Sequence, residues 1–245
     1  MRIFVLSGAG ISAESGLGTF RDPDGTGIWS RFDPMKLATP EAFARDPETV
    51  QAFYNARRQN LLAAEPNAAH AALARLETEL ERRGGELVLV TQNIDDLHER
   101  AGSRRVLHMH GELLKARCMR CAEVTAWTGD LGTRDACPAC GQRGGLRPHV
   151  VWFGEMPFGM DQIFAALAGA DLFVAIGTSG SVYPAAGFVA EARASGIRTC
   201  EINLDPSDNA GLFDEHLYGP ASASVPAWVD RLLADPRLAK AAPTG

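Results

Sequence analysis

The sequence predicts an α/β fold in which a doubly wound parallel sheet carries a smaller helical and zinc-binding domain. Four short apolar runs lie at residues 3–6, 87–91, 171–176 and 199–203, and each is bounded by turn residues. Such runs are typical of buried parallel strands. Helical patterns at Ala68–Arg82 and at residues 184–194 separate them, which gives the βαβ alternation of a doubly wound sheet.

Length and composition fit a soluble enzyme-sized chain. The 245 residues are 46% apolar, enough for one large core with an appended module. The formal charge is 24 − 30 = −6, which argues against a nucleic-acid-binding surface. The apolar run at 3–6 is too short for a signal peptide or a membrane span. We therefore expect a cytoplasmic protein without membrane contact, and a monomer by default.

Two Cys-x-x-Cys pairs predict a metal site. Fifteen residues separate Cys118 and Cys121 from Cys137 and Cys140, a spacing typical of paired zinc knuckles. Four sulfur ligands complete a tetrahedral site and leave no position for water, so the predicted zinc is structural. Disulfides or free core thiols are the alternatives. The fifth cysteine, Cys200, lies in an apolar run and is expected to be a buried strand residue.

A glycine-rich loop, Gly8-Ala9-Gly10, follows the first predicted strand. Glycines there let backbone N–H groups approach a pyrophosphate at a helix N-terminus, although a tight strand-to-helix turn needs glycine for steric reasons alone. Residues 177–179 and 203–205 follow two other predicted strands. Because ligands bind at the carboxyl ends of parallel strands, we expect the three loops to converge on one nucleotide.

Polar residues also follow the second predicted strand, as Gln92-Asn93-Ile94-Asp95. These side chains can bind a polar ring substituent or a water. Asn and Asp are also common helix caps, and capping is the favoured role when these four residues are considered by themselves. His110 is a candidate general base because a neutral imidazole accepts a proton near pH 7. We expect structural roles for the remaining histidines, namely His70, His98, His108, His149 and His216.

The motifs occur in a characteristic order along residues 3–225: Gly8-Ala9-Gly10-Ile11-Ser12, Glu14-Ser15-Gly16, Thr19-Phe20-Arg21, Thr91-Gln92-Asn93-Ile94-Asp95, His108-Met109-His110-Gly111, the four cysteines, Val151 to Glu155, Gly177-Thr178-Ser179 and Asn203-Leu204. This series resembles that of the sirtuins, the NAD-dependent protein lysine deacylases. The resemblance implies a Rossmann-like NAD-binding domain of residues 1–30, 85–113 and 147–240. It also implies a small domain that consists of a helical module, residues 31–84, and a zinc module, residues 114–146. NAD and the acyl-lysine peptide are then expected to meet in the cleft between the two domains.

The resemblance also implies residue roles. His110 and Asn93 match catalytic residues, His110 as the base that deprotonates a ribose hydroxyl, and Phe20 matches the residue that shields the reactive face of the sugar. The implied products are nicotinamide, free lysine and O-acyl-ADP-ribose. The positions that match NAD-binding residues are Gly8, Ala9, Gly10, Glu14, Phe20, Arg21, Gln92, Asn93, Ile94, Asp95, Gly177, Thr178, Ser179, Asn203, Leu204, Asp205 and Ala221.

Tyr54 and Arg57 resemble the Tyr-x-x-Arg signature of class III sirtuins, which implies a preference for succinyl- or malonyl-lysine alongside acetyl-lysine. Positions i and i+3 share a helix face, so both side chains can enter one acyl pocket, with Ala38 as the small residue that widens it. The neighbouring Arg58 is expected to be an exposed helix arginine.

For peptide binding, the resemblance assigns Val151, Phe153 and Gly154 to a segment that pairs with an extended substrate, whereas Trp152 is expected in the core. Residues 22–28, rich in glycine and proline, are expected to form a mobile lid over NAD. Two other functions remain open from the residues alone: mono-ADP-ribosyl transfer from NAD, and a non-catalytic zinc-ribbon binding protein.

Overall fold

In the computed structural model, residues 1–18 and 34–235 are described, and they contain two sheets. The strands are β1 Arg2–Ser7, β2 Glu86–Thr91, β3 Val106–His108, β4 Gly111–Cys118, β5 Val124–Ala126, β6 Leu146–Val150, β7 Leu172–Ile176, β8 Arg198–Asn203 and β9 Glu215–Tyr218. A six-stranded sheet has the order β3-β2-β1-β7-β8-β9, and all its pairs are parallel. An antiparallel sheet of three strands has the order β5-β4-β6.

The α-helices alternate with these strands or precede them. They are α1 Pro34–Leu37, α2 Pro40–Arg45, α3 Pro47–Ala63, α4 Ala68–Arg82, α5 Leu97–Arg100, α6 Met160–Ala168, α7 Phe188–Ala194 and α8 Ala221–Leu233. Short 3-10 turns follow β1 and precede α7. None of the helices in the described part of the chain is long and apolar enough to cross a membrane.

The large sheet is buried on both faces, which explains why its central strands read as continuous apolar runs. One core cluster joins β1, β2 and β7 to α4 and α8, through residues such as Leu73 and Trp228. The other packs α6 and α7 on the opposite face, with Phe4, Phe173 and Phe188 in ring contact. The doubly wound α/β prediction is confirmed. The expected burial of Cys200 in a strand is confirmed too, at 1% exposure on β8.

A third core cluster holds helices α1 to α3 against the start of the small sheet. Phe43, Tyr54 and Trp152 meet there in ring contacts of 5.2 and 6.4 Å. A fourth, smaller cluster surrounds Cys118 and Cys137 in the zinc module. The third cluster includes Ile94 and Leu97, which follow β2, so it lies beside the carboxyl end of that strand.

The sequence-based division of the chain differs from the observed packing at two places. The predicted helical module includes helix α4, yet the helix packs its buried apolar face into the core of the large sheet. The small sheet runs from Gly111 to Val150, beyond both predicted ends of the zinc module at 114 and 146. The packing of the helix and the pairing of the strands decide these two points, and periodicity alone does not reveal which partner a helix or strand has.

Candidate active site

One cleft of about 710 Å³ collects segments that are far apart in the sequence. It lies at the carboxyl ends of β1, β2, β7 and β8, where an open parallel sheet binds ligands. Every predicted catalytic, NAD-binding and substrate-binding residue that the structure describes lines it: Gly8, Ala9, Gly10, Glu14, Ala38, Tyr54, Arg57, Gln92, Asn93, Ile94, Asp95, His110, Val151, Phe153, Gly154, Gly177, Thr178, Ser179, Asn203, Leu204, Asp205 and Ala221. Phe20, Arg21 and the 22–28 segment lie outside the described residues.

The glycine loop is packed tightly against the loop after β7. A Cβ atom at Gly8 would lie 2.7 Å from the Gly177 carbonyl oxygen, and one at Gly10 would lie 2.7 Å from the Gly177 Cα. Gly10 N–H also donates to Gly177 O at 2.8 Å. Both glycines are therefore required for backbone packing, while their loop still lines the cleft.

Side chains at three strand ends are joined through Thr178. The Gln92 amide donates to Thr178 Oγ1 at 2.9 Å, and the Asn203 amide donates to Thr178 O at 2.9 Å. Glu14 accepts hydrogen bonds from the backbone and side chain of Ser222, in the first turn of α8. Because these bonds cross between loops, they fix the loops relative to one another.

Ser12 is a cleft residue whose importance the sequence analysis did not recognise. Its hydroxyl donates to Asp95 Oδ2 at 3.0 Å and accepts from Asn93 Nδ2 at 3.1 Å. His70 Nε2 lies 3.3 Å away, and His70 Nδ1 accepts from Asn67 N–H, so Nε2 carries the proton and donates. Burial lowers the pKa of His70 to about 4, which keeps it neutral. The one signal for Ser12 in the sequence is its position in the Gly-Ala-Gly-Ile-Ser motif.

Asp95 bonds to the start of a helix and also lines the cleft. Its Oδ1 accepts from Leu97 N–H at 3.2 Å, at the start of α5, as a capping residue would. Burial raises its pKa, and the bonds from Leu97 and Ser12 oppose that rise. The carboxylate is only 7% exposed and faces the cleft.

His110 has the geometry of a neutral base. Its Nδ1 lies 2.9 Å from the Gln92 carbonyl oxygen. A carbonyl only accepts, so Nδ1 carries the proton and Nε2 keeps its lone pair. Burial lowers the pKa of His110, which the bond to Gln92 partly offsets. Within residues 1–18 and 34–235, Nε2 has no protein partner, and the ring lines the cleft.

The other end of the cleft is formed by α3 and the segment after β6. Tyr54 and Arg57 both line it, as their spacing on one helix predicts, and Ala38 lies beside them. Burial raises the pKa of Tyr54, so the phenol stays protonated at neutral pH. Burial lowers the pKa of Arg57, while Tyr54 and Asp95 act in the opposite direction. The Arg57 guanidinium also lies 5.7 Å from the Phe53 ring.

The segment after β6 borders this end with its main chain. Val151 N–H donates to His110 O at 2.8 Å, and Phe153 N–H donates to Ala38 O at 2.9 Å. Trp152 is 2% exposed, as expected for a core residue. It is nevertheless not only a core residue, because its indole N–H donates to the Tyr54 hydroxyl at 3.0 Å.

The prediction for Arg58 is wrong. This arginine is 1% exposed, and it donates to Leu113 O at 3.2 Å and to Asn55 Oδ1 at 2.6 Å. It joins α3 to the small sheet, a contact that local spacing cannot predict because the strand partner is far along the chain.

The four predicted metal ligands are brought together. Their Sγ atoms all lie within 4.8 Å of one another, and none of them forms a disulfide. The pairs Cys118–Cys140 and Cys121–Cys137 are 3.7 and 3.8 Å apart. Tetrahedral zinc with Zn–S bonds of about 2.3 Å requires sulfur separations of about 3.8 Å. The donor set therefore fits one structural zinc ion.

Comparison with known proteins identifies the family. A family model described as the Sir2 family matches residues 8–184. The NAD-dependent protein deacylase of Caulobacter vibrioides is 66% identical over 96% of this chain and 98% of its own length. The chain belongs to the Sir2 family. Its enzyme class is accordingly that of an NAD-dependent protein deacylase.

Solved sirtuin structures agree with the observed fold. A Sir2 homologue in complex with NAD is 40% identical, with a TM-score of 0.83 over 95% of this chain and 91% of that one. A Sir2 protein solved with a deacetylated p53 peptide and 3'-O-acetyl ADP ribose is 28% identical, with a TM-score of 0.76 over 94% and 92%. NAD is thus the co-substrate of this sirtuin.

Proposed function

We propose that this sirtuin prefers lysines carrying a short acidic acyl group, succinyl or malonyl, and that it also removes acetyl groups. One observation carries the proposal: Tyr54 and Arg57, a neutral phenol and a guanidinium, line the same cleft as His110. A cation and a hydroxyl donor on one helix face suit a terminal carboxylate.

The energetic argument concerns the difference between acyl groups. A hydrogen bond to a charged group contributes about 1.5–3 kcal/mol, whereas an acetyl group offers Arg57 no anion. Tyr54 is almost fully buried and Arg57 is partly buried, which strengthens their attraction for a carboxylate. The same burial disfavours larger apolar acyl groups, because they cover the guanidinium and offer it no anion.

The chemistry of the site follows from its own groups. NAD supplies the ADP-ribose that accepts the acyl group, with nicotinamide and O-acyl-ADP-ribose as products. We assign His110 Nε2 to accept the proton of a ribose hydroxyl, and Asp95 with Ile94 to hold the nicotinamide carboxamide. Asn93, tethered to Ser12, orders the sugar and a water. The loops that follow β1, β7 and β8, together with the Thr178 links, would hold the pyrophosphate and adenosine.

The proposal is tested with matched acetyl- and succinyl-lysine peptides, NAD and mass spectrometry. We expect NAD-dependent loss of both acyl groups, with a higher kcat/KM for the succinyl peptide. In Arg57→Met the succinyl-to-acetyl ratio of kcat/KM should fall roughly 10- to 100-fold, because the ion pair is lost while the acetyl substrate never made it.

A control variant is Arg45→Met, which removes an exposed arginine from the same helical module. Its acyl selectivity should match that of the wild type. An unchanged succinyl-to-acetyl ratio in Arg57→Met would refute the acidic-acyl preference and leave the family assignment intact. A mass increase from ADP-ribose on the peptide, without deacylation, would instead support ADP-ribosyl transfer.

The surroundings of the enzyme follow from its metal ligands. We place the protein in the cytoplasm, where a reducing environment keeps four cysteines available to zinc. Its partners are acylated-lysine proteins or peptides, without nucleic acid, and a monomer stays our prediction for its oligomeric state. Sedimentation of the purified protein tests the last point.

A further inference from the structure

We propose that Trp152 is a positioning residue for acyl selectivity, because its indole N–H directs the Tyr54 hydroxyl toward the carboxylate of the substrate. The inference rests on the proposed preference for acidic acyl groups and extends it to a residue outside the Tyr-x-x-Arg pattern.

The first step concerns the hydrogen-bonding capacity of the two groups. An indole N–H can only donate, whereas a phenol both donates and accepts. The 3.0 Å bond from Trp152 Nε1 therefore occupies an acceptor position of the Tyr54 oxygen and leaves its hydrogen available. In the described part of the chain Trp152 is the hydrogen-bond partner of that hydroxyl, so its hydrogen is free for a ligand in the cleft.

The second step is the strength of the donor. A hydroxyl that accepts a hydrogen bond is polarised and becomes a better donor in turn. Tyr54 is only 2% exposed, so few water molecules compete for its hydrogen. Trp152 thus makes the phenol both oriented and stronger as a donor toward an anion.

The third step is what holds the indole. The Arg147 guanidinium lies 3.3 Å from the centre of the Trp152 ring. Two hydrogen bonds, of 2.6 and 2.9 Å, join Arg147 to Glu155. Glu155 also accepts from the Trp152 backbone N–H at 2.8 Å, so the ring and its own main chain share one anchor. The Phe43 ring, 5.2 Å away, packs against the indole.

These contacts make the indole an unusually fixed donor. Arg147 is 5% exposed at its side chain, and burial strengthens its pairing with Glu155. A ring held by a cation, by packing and by its backbone loses little further entropy when the substrate arrives. The buried ion pair thereby acts on selectivity through Trp152, without touching the acyl group.

The test is Trp152→Phe, which keeps an aromatic ring beside Arg147 and removes the N–H donor together with part of the ring volume. We expect kcat/KM for the succinyl peptide to fall roughly 3- to 10-fold and that for the acetyl peptide to stay within twofold, since one hydrogen bond is weakened. The loss should appear mainly in KM, because the carboxylate is bound in both the ground state and the transition state.

A double-mutant cycle separates positioning from packing. If Trp152 acts through the Tyr54 hydroxyl, the double variant that combines Tyr54→Phe and Trp152→Phe should have the same succinyl-to-acetyl selectivity as Tyr54→Phe alone. Equal losses for both acyl groups, or additive effects in the double variant, would overturn the inference. Trp127→Phe is the matched control, since it removes an indole N–H bond to Asp130 O in the zinc module and should leave selectivity unchanged.

Should Trp152→Phe fail to fold, site-specific replacement of the indole by benzothiophene keeps the ring shape without the N–H and is judged by the same criteria. A wild-type protein without succinyl activity overturns the proposed function and this inference together. Succinyl preference in the wild type, with no selective loss in the Trp152 variants, overturns this inference alone.

Discussion

The zinc module and the catalytic cleft differ in how their residues are brought together. The four zinc ligands lie between Cys118 and Cys140, and each pair is formed by one tight turn. The cleft draws on residues from Gly8 to Ala221, which meet only because β1, β2, β7 and β8 are adjacent and parallel. Local spacing is therefore enough to predict the metal site, whereas the cleft depends on strand order.

The two regions also differ in what they can do chemically. Four sulfurs close the metal site to substrate. The cleft instead presents the lone pair of His110, the Asp95 carboxylate and the Tyr54 hydroxyl to an open volume. Stability and chemistry should consequently respond to different substitutions.

Removal of zinc should have the largest effect, and it should fall on stability. Structural zinc contributes roughly 10 kcal/mol or more in isolated zinc-finger peptides. In Cys137→Ser we expect loss of bound zinc and rapid hydrogen exchange in β4 to β6, with much slower exchange retained in the large sheet. Elemental analysis and exchange mass spectrometry measure both.

Cys200→Ala is the matched control, because Cys200 is a buried thiol in the large sheet. It should keep its zinc. Full metal content in Cys137→Ser would show that this thiolate is not a ligand.

His110→Ala should have the next largest effect, and it should fall on turnover. A positioned general base contributes about 10²- to 10⁴-fold, or roughly 3–5 kcal/mol of activation free energy. We expect that loss for acetyl and succinyl peptides alike, with zinc content and melting temperature unchanged. Equal turnover in the variant would remove the proposed role of the base.

The pH profile of the wild type gives a second check on the same residue. Because burial lowers the pKa of His110, protonation should inactivate the base only below the usual histidine range. The rate should thus rise with pH through that lowered pKa and be level near pH 7. His110→Ala should lose this acid limb.

The smallest effects should come from the turns of the two knuckles. Ala122 and Gly141 follow the second cysteine of each pair, with φ of 62° and 72°. Their N–H groups donate to Cys118 O and Cys137 O at 3.0 and 2.9 Å. Alanine in this left-handed region costs about 1 kcal/mol, whereas glycine adopts it freely.

Gly141→Ala should therefore destabilise the protein by about 1 kcal/mol. Ala122→Gly should be neutral or stabilise the protein by a few tenths of a kcal/mol. The relief of backbone strain is partly offset in this variant, because glycine gives the unfolded chain more conformational entropy. Among the described residues, and apart from its two chain neighbours, no atom would lie within 4 Å of a Cβ at Gly141, so the cost is conformational. Thermal unfolding measures both, and shifts of the same size and sign would contradict the argument. Deacylation should not change.

Particular residues show how far the sequence could lead. The strand runs, helix α4 with its ends at Ala68 and Arg82, and the four cysteines follow from periodicity and spacing. The short edge strands β3 and β9 could not be predicted, because each has too few residues to show a periodic pattern. The burial of Arg58 and the tertiary packing of α4 also escaped prediction, since both depend on which distant partner covers a face.

By itself the sequence determined the alternation of strands and helices, the closed set of four thiolates and the i, i+3 pairing of Tyr54 with Arg57. Each depends on residues that are near one another along the chain, where backbone geometry fixes the distance. Only the tertiary structure decided that Ser12 connects Asp95, Asn93 and His70, and that Trp152 donates to Tyr54. Those bonds join residues 58 to 98 positions apart, and no local rule relates such positions before the sheet has formed.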